Sequence, residues 1–163
     1  MVPLGCCESR PYPRFVPRPS VPFVPKSNAH LLPGDWWAVP LRDGRFAAGR
    51  VLAPQAFGPT SRNGVTIALL DWVGVGPPTE QDIAGRPVLA WALSRVESIS
   101  KTGGEVLGNR PLAADGIEAP VLTHAVGEKS SVWGWKTIVN RAEAQFLDRV
   151  WVPFPGGQRP TCR

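Results

Sequence analysis

The dipeptide Asp43-Gly44 lies between two apolar runs, and an Asp-Gly pair in that setting is among the strongest short signals for a β-hairpin. The runs are residues 35–41, DWWAVPL, and residues 45–53, RFAAGRVLA. Side chains alternate along a strand, so Trp37, Val39 and Leu41 share one face while Trp36, Ala38 and Pro40 share the other. Trp36 and Trp37 therefore cannot both point to one side. Pro40 has no amide to donate, which predicts an edge or a bulge there.

The rest of the chain reads as a β-rich body with few helices. Residues 65–73, VTIALLDWV, are the most apolar run and are predicted as the central strand, with Arg50 as the partner of the intervening Asp71. Residues 79–83 read as one helical turn, 88–93 and 96–99 as short strands, and 105–109 as a strand ending in a turn. Residues 112–131 show no stable period and read as loop. Asn140 and Glu143 match a capping box, which predicts an amphipathic helix over about 141–150 with Ala142, Phe146, Leu147 and Val150 on one face. The expected fold class is α+β: a small twisted antiparallel sheet or partly open barrel with one C-terminal amphipathic helix.

Eight prolines in the first 33 residues, part of 19 in the chain alongside 17 glycines, forbid a persistent helix or ladder there. The predicted organisation is a proline-rich, disordered or loosely draped leader over 1–32, one domain over 33–153 and a polar tail over 154–163. Charge follows the same division. The formal net charge is +5, but residues 31–154 hold twelve basic and twelve acidic side chains, so the excess lies in the two ends. A neutral body lacks the concentrated basic surface that binding to phosphates requires, which disfavours nucleic acid as a partner. Cys6, Cys7 and Cys162 all lie in the terminal segments, a pattern unlike a disulfide framework and consistent with a reducing, cytoplasmic setting. No run of about 20 apolar residues exists, so no membrane-spanning helix is expected.

Catalytic and metal-binding patterns are missing. His30 and His124 have no cysteine or carboxylate at ligand spacing, no G-x-S-x-G occurs, and the pairs Gly103-Gly104 and Gly156-Gly157 lack the surroundings of a phosphate loop. No cofactor, metal or enzymatic activity is expected. What the chain has in excess is tryptophan, seven residues, among them Trp36-Trp37 and the Trp133-Gly-Trp135 repeat that an extended backbone would set on one face. Tryptophan and arginine are the side chains enriched at interface hot spots. Trp36, Arg42, Asp43, Arg45 and Trp133 are therefore the candidate partner-binding residues, with Trp36 equally able to lie under the leader or the helix.

The segment PGDWWAVPLRDGRFAAGRVL resembles the opening signature of the bacterial immunity protein 26 family: a Gly-Asp pair, an aromatic strand, Pro-Leu, a short polar turn and Gly-Arg-Val. The later GEVLGNRPL resembles that family's second recurring block. The resemblance implies a cytoplasmic antidote that binds and neutralises a cognate polymorphic toxin by stoichiometric protein–protein contact, and it carries over no catalytic residue. The alternative is a small β-barrel module for single-stranded nucleic acid, which would stack bases on exposed aromatics.

Overall fold

The computed structural model describes residues 17–58, 60–122 and 129–148. Five strands, β1 (Asp35–Pro40), β2 (Phe46–Ala53), β3 (Gly64–Gly74), β4 (Val88–Arg95) and β5 (Val106–Asn109), form one antiparallel sheet in the order β4-β3-β2-β1-β5. The sheet is open, and three helices accompany it: α1 (Glu80–Ile83), α2 (Glu97–Ser100) and α3 (Thr137–Phe146). The α+β architecture with a C-terminal helix is that expected, in its unclosed form.

The hairpin closes as its turn chemistry requires. Gly44, at φ +85°, takes the left-handed backbone that the Leu41–Arg45 reversal needs, and Leu41 and Arg45 meet through a 2.9 Å backbone bond. Pro40 pairs with Phe46 on one side, while β5 reaches only as far as Trp37 on the other, so the missing donor falls where β1 has no outer neighbour. β3 is interior, but β2 holds the middle position that the apolar run 65–73 was expected to take.

Both faces of the sheet are covered, which settles the tryptophan problem. Trp37, Val39, Val51, Ile67 and Leu69 pack on one face with Ile99, Trp133, Ile138 and Ala142. On the opposite face Trp36 packs with Ala48, Leu70 and Ile83. Adjacent indoles thus point in opposite directions and both find a core. Each lies against a glycine across the ladder: Trp37 opposite Gly49 on β2, Trp36 opposite Gly108 on β5. A Cβ at either glycine would run into the facing indole ring, so these positions require glycine for space.

Three local readings are corrected. Residues 96–99 are not a strand: Val96 ends β4 by donating to the Asn63 carbonyl at 2.9 Å, and the chain then winds into α2, burying Ser98 and Ile99. Within the stretch read as loop, Leu112–Asp115 form a 3-10 turn closed by Gly116 at φ +66°. Helix α3 starts at Thr137, so Asn140 lies inside it and caps nothing; Lys136 precedes it without a side-chain cap. Ala142 is buried and Phe146 and Leu147 half-buried against the first face, as the apolar spacing predicts, while Val150 lies outside the described residues. Thr79 and Asp82 do form a capping box, at the start of α1.

The described part of the leader joins the sheet. Phe23 exchanges backbone bonds of 3.2 and 2.8 Å with Val106 on the outer side of β5 and packs on the first core. Arg18 reaches over the Phe23 ring to Asp35, whose carboxylate is fully covered, at 2.6 Å.

Candidate functional site

The five residues picked out as partner-binding separate into two groups. Arg42 and Asp43, exposed, and Arg45, half-buried, form the tip of the β1–β2 hairpin. Arg45 donates to Asp43 twice, from its amide at 3.0 Å and its Nε at 2.6 Å. Those bonds, the amide's first and then the guanidinium's, hold the Asp43 carboxyl below the usual carboxylate range. Arg42 ties the tip to α3: its amide donates to Glu143 at 2.9 Å, one guanidinium nitrogen to the same carboxylate at 3.2 Å, and the other to Asp148. The contact with Asp148, ahead of that with Glu143, raises the Arg42 pKa above its ordinary value.

Trp36 and Trp133 sit elsewhere. Trp36 is 6% exposed and Trp133 5%, so neither indole offers a surface to a partner in this structure. Among the described residues Trp36 is covered by α1, residues of β4 and β5, and Ile117, not by leader residues 17–32 or the C-terminal helix. Trp133 bonds through its amide to the Leu93 carbonyl at 2.8 Å, lies in the first core, and carries the Arg141 guanidinium 5.0 Å from its ring centre. Trp135 does not share that face; it is 39% exposed and packs under the Lys136 ammonium. The exposed large aromatics among the described residues, Phe57, Trp91 and Trp135, stand on three separate segments.

The residues of the two sequence blocks meet in a polar joint that sequence reasoning did not assemble. Asp35, 0% exposed, accepts from Arg18, from the Leu32 amide at 2.9 Å and from Asn109 Nδ2 at 2.8 Å. Asn109 Nδ2 also donates to the Pro33 carbonyl, and the Arg110 amide to the Gly34 carbonyl at 3.1 Å. Gly34, at φ +92°, lies so close to the Arg110 carbonyl that no side chain fits between them. On the far face of β2, Arg50 is fully buried. It pairs with Asp115 at 2.6 Å and donates to the Arg110 carbonyl at 2.6 Å; the exposed Asp71 is not its partner. Asp115 in turn takes Arg110 and the Gly85 amide. Burial works to raise the Asp115 pKa, but the Gly85 amide and the two arginines outweigh it and leave it lowered. A buried cation on β2 asks for a carboxylate, and that much could be read; which carboxylate depended on the 3-10 turn bringing Asp115 back under the sheet.

Among the described residues, no three His, Cys, Asp or Glu side chains come together as metal ligands would, and no helix is long and apolar enough to cross a membrane. His30 sits in a 3-10 turn, and His124 lies outside the described residues. The molecule is thus an α+β protein built on an open sheet with both faces packed and with Arg50 and Asp115 paired beneath it. The family model for immunity protein 26 matches residues 32–133, and the chain belongs to that family. The match begins just before the Pro33-Gly34 turn and ends at Trp133, so it takes in all five strands, both sequence blocks and the polar joint except Arg18, and leaves out α3. No curated protein and no solved structure matches the chain.

Proposed function

We propose that this protein is a cytoplasmic immunity protein that binds a cognate polymorphic toxin and neutralises it as a stoichiometric complex, without catalysis. The observation that carries the reading is the family match across the whole sheet. The charges of Arg42, Asp43 and Arg45 are the contacts we assign to the partner at the hairpin tip. Their mutual bonds and the anchorage to Glu143 and Asp148 pre-order the tip, which lowers the conformational cost of binding. Trp36 and Trp133 lie in the cores away from the tip and are not assigned to the contact.

Co-expression with candidate toxin genes taken from the genomic neighbourhood of this one tests the proposal. Cells are expected to survive with the intact chain and to lose protection with Arg45→Ala, while the purified variant keeps the melting temperature of the parent. Trp36→Ala serves as the contrast: truncating a buried tryptophan costs about 3–5 kcal/mol of stability, so its loss of protection would come with a lower melting temperature. If the intact chain gives no protection and forms no complex with the toxin, neutralisation by binding is excluded.

A further inference from the structure

Among the described residues the outer edge of β4 is only partly paired. Strand β4 ends the sheet on the side away from β5. Its edge is met at one point, where the Leu93 amide donates to the Ser131 carbonyl at 2.9 Å and the Leu93 carbonyl accepts from the Trp133 amide at 2.8 Å. Alternate residues of a strand turn their backbone polar groups to the same side, so the amide and carbonyl of Trp91 point outward as those of Leu93 do. Among the described residues neither has a partner. Edge strands are ordinarily blunted by charge, proline or cover, yet residues 88–92 read VLAWA. Leu89 is 38% exposed, Trp91 40%, and Val132, beside them on the bridge, 63%.

The two faces of this edge offer separate hollows. On the side of Trp36 and Arg50, Trp91 borders a hollow with Pro87, Val88, Ile117 and Val121. On the side of α3, Leu89 and Ala90 border another with Arg141. A strand laid along the edge would bond to the Trp91 backbone and send successive side chains alternately into the two.

Charge selects the occupant. Arg86 precedes β4, Arg95 ends it and Arg141 lines the α3 side, while Glu118 stands at the rim of the opposite hollow. Antiparallel pairing of two copies centred on Trp91 would bring Arg95 of each beside Pro87 and Arg86 of the other, opposing like charges at both ends. A different chain, apolar in the middle with carboxylates at its ends, meets those arginines favourably.

We propose that the β4 edge from Leu89 to Trp91 docks an extended, acid-flanked apolar segment of the toxin as a sixth strand of the sheet. The proposal rests on the reading that the chain binds a protein toxin, and it adds an apolar backbone-led contact to the charged one at the hairpin tip.

The test uses the full chain and the toxin domain identified by the co-expression experiment above. Hydrogen exchange read by mass spectrometry is expected to slow at peptides covering Leu89–Trp91 on complex formation. Trp91→Lys should weaken binding by about 30-fold or more, the loss of a hot-spot anchor, with an unchanged melting temperature. Arg95→Glu should weaken it less, chiefly through slower association. A complex that forms with parental affinity in Trp91→Lys and leaves β4 exchange unaltered overturns the edge proposal while toxin binding stands. Concentration-dependent protection of β4 in the isolated chain overturns it in favour of a second copy. No complex with the parent chain overturns both readings.

Discussion

Asp115 illustrates how a single residue can matter through its place in the fold. Its carboxylate is covered and holds two arginines and the Gly85 amide, with Arg50 fully buried on the other side of the pair. Removing one partner of a buried pair strands the other charge, so Asp115→Asn is expected to cost about 3–5 kcal/mol, read as a lower denaturation midpoint. The pH response has a definite sign. The folded-state pKa lies below the unfolded value of about 3.9, so in the acid range the unfolded chain binds the proton more readily. The stability that Asp115 contributes is full above that unfolded value and is lost as pH falls through the folded one. Melting temperatures recorded from neutral pH downward should hold to about pH 5 and then drop, with a shallower drop in Asp115→Asn. At the same scale Gly49 and Gly108 were visible in the sequence only as glycines. Their use as seats for Trp37 and Trp36 follows from strand register, which no local signal specifies.

Elements differ in how far their own residues specify them. The hairpin carries its turn, its alternation and its ends within about 20 residues, and it forms where the sequence puts it. Helix α3 has the right apolar stripe but begins earlier than the Asn140–Glu143 pattern suggests. Trp133 is pinned to Leu93, and the chain turns at once into the helix through a 3.0 Å bond from the Thr137 amide to the Gly134 carbonyl. A capping pattern states what Asn140 can do, and the bridge to β4 decides where the helix has already started. The strap over residues 17–32 is the larger surprise, since prolines forbid regular structure without forbidding a fixed course along a sheet edge. Arg18→Ala should remove one charged hydrogen bond from the buried Asp35, whose other donors remain. A loss of about 1.5–3 kcal/mol is expected, measured by chemical denaturation of the full chain.

On the scale of the molecule, the two packed faces share the same strands. Trp36 and Trp37 belong to different cores but are neighbours in β1, so neither face can come apart without the other losing its strand. Unfolding followed by tryptophan fluorescence and by far-UV circular dichroism should therefore give coincident transitions; two separated midpoints would show that the faces unfold independently. A neutral body between charged ends is likewise a whole-chain property, and it leaves the local arginines at the hairpin tip and along β4 as the charges on which the proposed contacts rest.

By itself the sequence determined the hairpin, the apolar strands, the helical stripe and the family, because each rests on short-range patterns of turn residues and alternation. Tertiary structure alone decided that Trp36 and Trp133 are buried, that Arg50 meets Asp115, that Arg42 holds α3, and that β4 ends the sheet. Those four depend on which distant segments arrive beside a strand, and arrival is set by packing of the whole sheet on both faces, a condition that no stretch of the chain contains alone.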